Sequence, residues 1–127
     1  MKVLKKTSFL VLIVSAMFLS LASVACGGNP LLDAVEGINT DESLHAALEG
    51  LYTIRAEARD DSTIVVILRA ERDELADPDV AESVSDSAAA EFQNSVRSMR
   101  EARIHDPKVI LEFLDKNGNL IYSREFS

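Results

Sequence analysis

The chain has 127 residues and a formal net charge of −8 at pH 7, with 47% hydrophobic residues, one cysteine and two histidines. This excess of acid argues against a nucleic-acid-binding protein, because such binding depends on cationic side chains that meet phosphates. One cysteine cannot form an internal disulfide or supply a zinc site alone, so neither is expected to hold the fold together.

The first 25 residues are arranged like a secretory signal. Three lysines lie within residues 1–6, an apolar run covers 9–22, and small residues lead from it to Cys26. A basic start, a short apolar core and a small-residue exit are typical of a signal peptide. A retained membrane span is the alternative, but crossing about 30 Å of hydrocarbon takes about 20 apolar residues. We therefore predict a signal peptide over residues 1–25.

The residues immediately before the cysteine indicate what kind of signal this is. Ser23, Val24 and Ala25 followed by Cys26 resemble a bacterial lipobox, in which small residues precede a cysteine that becomes lipid-modified. The residue three before that cysteine is usually Leu, and here it is Ser23. Ser23 and Ala25 also suit ordinary signal-peptide cleavage, which would leave a free thiol. Exported proteins tend to avoid free thiols, because their compartment favours oxidation. We predict lipid attachment at Cys26.

Lipid attachment would divide the chain into three parts. The signal peptide over 1–25 would be followed by a lipid-anchored tether over 26–30 and a small α+β domain over 31–127. A domain of this size can bury a core without disulfides. The protein is expected to be secreted and lipid-anchored to the outer side of the cell membrane.

The charge of the mature chain influences how this domain meets the membrane. All 21 acidic side chains but only 10 of the 13 basic ones lie after residue 25, so the net charge there is −11. An anionic lipid surface repels such charges by about 1 kcal/mol each within a Debye length of about 8–10 Å. Two acyl chains, at ~0.8 kcal/mol per buried CH₂, supply on the order of 20 kcal/mol. The lipid should therefore hold the domain while its charge keeps it off the surface.

The first half of the domain is predicted to contain two short helices and two strands. One helix begins at Pro30 and is interrupted at Gly37, and Thr40 caps a second helix. Strand-like runs follow at 52–59 and 63–70, with a polar turn between them.

The strongest pattern is a long amphipathic helix. It begins at Asp77 and Pro78, where an acid can cap the first turn and Pro suits the first position. The apolar face of this helix comprises Val80, Val84, Ala88, Phe92, Val96, Met99 and Ala102. Glu91 is the one acid within that apolar face. The segment 105–107 ends the helix.

Two further strand-like runs complete the predicted fold. They lie at 108–114 and 120–126, and Asn117 with Gly118 between them is the strongest short signal for a hairpin. The order is therefore helix, hairpin, long helix, hairpin. We predict a single α+β domain with a four-stranded, mostly antiparallel sheet packed on the long helix.

The second half also carries a family resemblance. Its features are Phe92 in the long helix, Asp106-Pro107-Lys108-Val109, Asp115 with Gly118 three positions later, Ile121-Tyr122 and Glu125-Phe126. Together with the lipobox, they resemble small lipoproteins of Gram-positive bacteria, whose extracellular part is a domain of unknown function. The resemblance implies a lipid-anchored α+β domain with diacylglycerol and palmitate chains, and it brings no catalytic residues.

No pattern in the sequence nominates a catalytic, metal or cofactor site. His45 and His105 have no partner at a catalytic spacing, and the common nucleophile and phosphate-loop motifs do not occur. The segment 115–119 has Gly118 in the fourth position, whereas a calcium loop needs Gly in the sixth. The acids within 73–86 suit a solvated helix start, with loose cation binding as the alternative. We predict no enzyme, no metal and no cofactor.

Apolar residues on both faces of the predicted strands point to a partner. Successive strand residues face opposite sides of a sheet. One set can face the long helix: Ile64, Val66, Leu68, Val109, Leu111 and Phe113. The other set comprises Val65, Ile67, Ile110, Leu114 and Ile121. If all helices pack on one side, this set forms an exposed patch for a partner or for self-association. The alternatives are that residues 30–50 cover it or that the sheet edges merely tolerate apolar residues.

The predicted function follows from the anchor and from the lack of a catalytic pattern. We expect a membrane-anchored extracytoplasmic lipoprotein with a non-enzymatic binding or interaction domain in the cell envelope. Its expected partners are the membrane, through Cys26, and an envelope protein or polymer. The alternative is a lipoprotein domain that binds a small molecule or an ion.

Overall fold

The computed structural model describes residues 30–127, apart from the side chains at positions 30, 33, 43, 44 and 47, so the predicted signal peptide and Cys26 lie outside the described residues. The elements in chain order are α1 (Pro30–Thr40), α2 (Glu42–Leu48), β1 (Tyr52–Ala58), β2 (Thr63–Ala70), a short 3₁₀ turn (Asp73–Leu75), α3 (Pro78–Glu101), β3 (Lys108–Leu114) and β4 (Leu120–Phe126). The predicted order of helix, hairpin, long helix and hairpin is confirmed.

The boundary between the two short helices differs from the prediction. α1 continues through Gly37 to Thr40, and the Thr40 hydroxyl donates to the Glu36 carbonyl oxygen at 2.7 Å instead of capping the next helix. Asp41 separates the helices, and its carbonyl oxygen accepts from the His45 backbone N–H at 3.1 Å. A Thr hydroxyl can either cap a following helix or bond back one turn, and here the backward bond forms.

The four strands form one mixed sheet in the order β1, β2, β3, β4. β1 pairs with β2 and β3 pairs with β4 in antiparallel hairpins, whereas β2 and β3 run parallel. Parallel neighbours require a crossover of a dozen or more residues, and the 24-residue helix α3 provides it. The α+β class with a mostly antiparallel sheet packed on the long helix is confirmed.

All three helices pack on the same face of the sheet. The core on that face contains Leu31, Ala34 and Ile38 of α1, Leu48 of α2, and the α3 residues Ala81, Val84, Ala88, Phe92, Val96 and Met99. The strands contribute every residue that was predicted to face the long helix, from Ile64 to Phe113, and each is at most 1% exposed. Hydrophobic burial on one face therefore holds helices and sheet together.

α3 begins as predicted but ends earlier. The Asp77 carboxylate accepts from the Asp79 backbone N–H at 2.9 Å, and Pro78 occupies the first turn. At the other end the Ile104 N–H donates to the Met99 carbonyl oxygen at 3.0 Å, and Arg103 takes a left-handed φ of 67°. This is the hydrogen-bond pattern of a Schellman motif, which terminates α3 at Glu101.

Aromatic and charged contacts join α3 to the outer strand β4. The Phe92 and Phe126 rings stack with centroids 4.9 Å apart and an interplanar angle of 22°. The Arg124 guanidinium lies 4.9 Å from the Phe126 centroid, donates to the Asp86 carboxylate at 2.5 Å and reaches the Ser85 hydroxyl at 3.3 Å. Arg124 of β4 therefore contacts Phe126 on its own strand and both Ser85 and Asp86 on α3.

The outer edge of β1 is occupied by a side chain of α1. The Arg59 N–H donates to the Thr63 carbonyl oxygen, so the backbone groups of Arg59 face β2. Because residues that face the neighbouring strand alternate with residues that face away, the backbone groups of Ala56 point away from β2. The Asn39 amide donates to the Ala56 carbonyl oxygen at 2.9 Å and accepts from the Ala56 N–H at 2.8 Å. Asn39 thus bonds the strand edge as a neighbouring strand would, which blocks pairing with another chain there.

Asn39→Ala is expected to lower the free energy of unfolding by about 1–3 kcal/mol, because it removes two hydrogen bonds and leaves both Ala56 backbone groups without this partner. Urea unfolding of the chain without residues 1–26 measures the change. Asn94→Ala is the matched control, since Asn94 is exposed on α3 and alanine favours a helix. Equal stability of the two variants would show that the Asn39 contacts contribute nothing.

Candidate functional site

Within residues 30–127, the strands alone form the face of the sheet opposite the helices. We call it the second face. From the strand register it carries Thr53, Arg55 and Glu57 of β1; Thr63, Val65, Ile67 and Arg69 of β2; Lys108, Ile110, Glu112 and Leu114 of β3; and Leu120, Ser123 and Glu125 of β4. Within residues 30–127, every helix contributes instead to the core on the other side.

The predicted partner residues are less exposed than expected. Val65 and Ile67 are only 0% and 7% exposed, while Ile110 and Leu114 are half-buried. Val65 lies in a central strand, paired with Glu57 on one side and Ile110 on the other. The expectation of an exposed aliphatic patch is therefore wrong for Val65 and Ile67. The alternative that residues 30–50 fold over the second face is also wrong, since α1 and α2 pack in the core.

The fifth predicted residue, Ile121, does not belong to this face. The pairing of β3 and β4 shifts between Phe113 with Tyr122 and Leu114 with Leu120, so Ile121 is the additional residue of a β-bulge. It is half-buried and packs against the core. A bulge changes which side chains face which side, because it breaks the alternation along the strand.

The same bulge places Leu120 on the second face, a position that the sequence pattern did not predict. Leu120 pairs with Leu114 and is 57% exposed. It completes a set of apolar side chains spread over the three strands β2, β3 and β4, with Glu112 between Ile110 and Leu114 on β3. We call this set the apolar stripe, and it comprises Val65, Ile67, Ile110, Leu114 and Leu120.

Charged side chains lie among and beside the residues of the apolar stripe. Arg59 follows β1 and Glu112 lies on β3, so the ion pair between them, at 3.4 Å, crosses over β2. At one end of the sheet the Arg69 guanidinium donates to the Lys116 carbonyl oxygen, and the Lys116 ammonium lies 3.2 Å from the Asp73 carboxylate. Exposed pairs of this kind contribute little to stability. The second face therefore carries apolar and charged side chains together.

The outer strand β4 also presents unpaired backbone groups. The Lys108 N–H donates to the Ser62 carbonyl oxygen, so alternate residues of β3 from Lys108 onward bond towards β2 and the others bond towards β4. It follows that the backbone groups of Ser123 and Glu125 point away from β3. Within the described part of the chain no strand pairs with this edge. β1 has its edge occupied by Asn39, and β4 does not.

The histidines do not meet in a site. The His45 ring Nε2 lies 3.1 Å from the Ile38 carbonyl oxygen, so it connects α2 to the last turn of α1. His105 is almost fully exposed, and its Nε2 lies 3.8 Å from the carboxylate of the adjacent Asp106. No group of three or more His, Cys, Asp or Glu residues within 30–127 is placed to hold a metal ion.

The predicted turn at 115–119 is organised by its first residue. Gly118 has a φ of 88°, which favours glycine, and one Asp115 carboxylate oxygen accepts from the Asn117 and Asn119 N–H groups, both at 2.9 Å. The hydrogen bond from the Asn119 backbone is the main reason that the pKa of the Asp115 carboxyl is lowered. The carboxylate is therefore committed to the turn.

Glu91 is the acid predicted to lie within the apolar face of α3. One of its carboxylate oxygens is buried and has no hydrogen-bond partner among the described residues. A single carboxylate does not make a calcium site, which takes six to eight oxygen ligands. We therefore interpret Glu91 as an isolated polar group beside the core.

Comparison with known proteins adds no family. The chain matches no protein-family model, no curated protein and no solved structure. The resemblance to small Gram-positive lipoproteins stays a prediction that rests on the residues quoted above. Within residues 30–127, no helix combines the length and the apolar character that crossing a membrane requires.

Proposed function

We propose that the chain is a lipid-anchored lipoprotein on the outer side of the cell membrane, and that its domain binds another envelope protein without catalysing a reaction. The observation that carries this proposal is the accessible end of the apolar stripe, where Ile110 and Leu114 are half-buried, Leu120 is 57% exposed, and no described helix covers them. Apolar surface of this kind usually marks a site of interaction. The lipobox at Cys26 supports the location.

The shape of the stripe favours a protein as the partner. Its members are aliphatic, and it runs towards β4, whose outer backbone groups can pair with a strand of the partner. The charges beside it, such as Arg55, Glu57 and Glu125, supply polar contacts at the border. Complementary charges would orient the partner and exclude others.

Leu120→Glu is expected to weaken partner binding tenfold or more, which corresponds to about 1.4 kcal/mol, because it places a carboxylate in the most exposed part of the stripe. Binding is measured by capture of the partner from envelope extract with the chain from residue 27 onward, followed by titration of the captured protein.

Leu32→Glu provides a matched control for this experiment. Leu32 is 55% exposed, against 57% for Leu120, but it lies on α1, which packs at the β1 side of the sheet. Neither change should alter stability by more than about 0.5 kcal/mol, because both positions are exposed. Equal binding by the two variants would rule out the stripe as the interface.

A further inference from the structure

The packed domain begins very close to the predicted lipid. α1 starts at Pro30, four residues after Cys26, and Leu31 is already buried in the core at 2% exposure. Four residues span at most about 14 Å when fully extended. This reach is little more than one Debye length of about 8–10 Å. A lipid at Cys26 would therefore keep the first turn of α1 at the membrane, even though the net charge favours separation.

That first turn presents an apolar side chain to the outside. Leu31, Ala34 and Ile38 face the core, and Leu32, one position further around the helix, points away from it. Leu32 is 55% exposed, and among the side chains that the structure describes the only other large hydrophobic one so exposed is that of Leu120. Leu32 therefore takes no part in the core, and its side chain is free to meet an apolar environment outside the domain.

We propose that the first turn of α1 lies on the lipid surface and that Leu32 inserts between the headgroups. This proposal rests on the lipid attachment proposed for Cys26. Headgroups and interfacial water occupy roughly 5–8 Å on each side of the hydrocarbon. Leu32 lies only two residues beyond Pro30, about 3 Å further along the helix axis, so it stays within reach of this layer. α1 carries Asp33 and Glu36 and no basic residue, so zwitterionic lipid is the surface that it suits.

The test uses the full-length protein, processed in cells and reconstituted in phosphatidylcholine vesicles. Cys26 is the chain's only cysteine, and lipid on its sulfur leaves no thiol to label. Leu32→Cys then introduces a single thiol for an environment-sensitive fluorophore. Leu120→Cys is the matched control, because the Leu120 side chain is as exposed as that of Leu32. Leu120 lies on β4, at the opposite edge of the sheet from β1, and α1 packs against β1. A quencher carried on the lipid reports contact with the bilayer.

We expect the lipid-borne quencher to remove most of the fluorescence of the label at position 32 and to leave the label at position 120 unchanged. Membrane-bound protein with no quenching at position 32, or with equal quenching at both positions, would overturn the proposal while the anchor stands. If the parent chain instead takes up label at Cys26 and does not sediment with vesicles, the lipid attachment itself is wrong. The proposal then fails for that separate reason.

Discussion

Alanine in place of Phe92 is expected to lower the free energy of unfolding by about 3–5 kcal/mol. Phe92 is 1% exposed and stacks on Phe126, so it joins the middle of α3 to the outer strand β4. Removing the ring leaves a cavity at this joint that the surrounding side chains fill only in part. A domain of this size has a total stability of about 5–15 kcal/mol, so the variant should be marginal or unfolded at 37 °C.

Urea unfolding followed by circular dichroism measures this change. Gln93→Ala is the matched control, because Gln93 is the next residue of the same helix and is exposed, and its loss should change stability little. Phe92→Leu keeps most of the volume and should lose less stability than Phe92→Ala. A Phe92→Ala protein as stable as Gln93→Ala would mean that α3 does not pack on β4 as described.

Cys26→Ser is expected to release nearly all of the protein from the membrane fraction or to stop its maturation. Two acyl chains contribute on the order of 20 kcal/mol of membrane affinity, and a serine hydroxyl cannot form the thioether that carries the diacylglycerol. No contact of a domain this acidic is expected to replace that affinity. Fractionation of cells, with the mass of the mature chain determined in parallel, measures the result.

Ser23→Leu is the complementary variant, since it introduces the residue usually found three positions before a lipidated cysteine. It should be processed at least as completely as the parent chain and remain in the membrane fraction. Retention of the Cys26→Ser protein at the membrane, with unchanged processing, would contradict lipid attachment and the location that depends on it.

Local sequence patterns predicted the elements and their order. The cap at Asp77, the apolar face of α3 around Phe92 and the positive φ at Gly118 are properties of short segments. Each is found where the sequence predicts it. The alternation along β2 and β3 likewise predicted which side chains enter the core. Such features depend on residues within one or two turns of each other, so the sequence alone can specify them.

Only the tertiary structure decided the composition of the candidate site. Val65 is buried although it lies on the second face, and a shift in the pairing of β3 with β4 exchanges Ile121 for Leu120 on that face. Asn39 meets Ala56 across 17 positions of the chain. Contacts between distant segments depend on register and on how the helices dock, and no short segment encodes them. For the same reason, the lipobox marks Cys26 in the sequence, but the packing of Leu31 determines how closely the domain approaches the lipid.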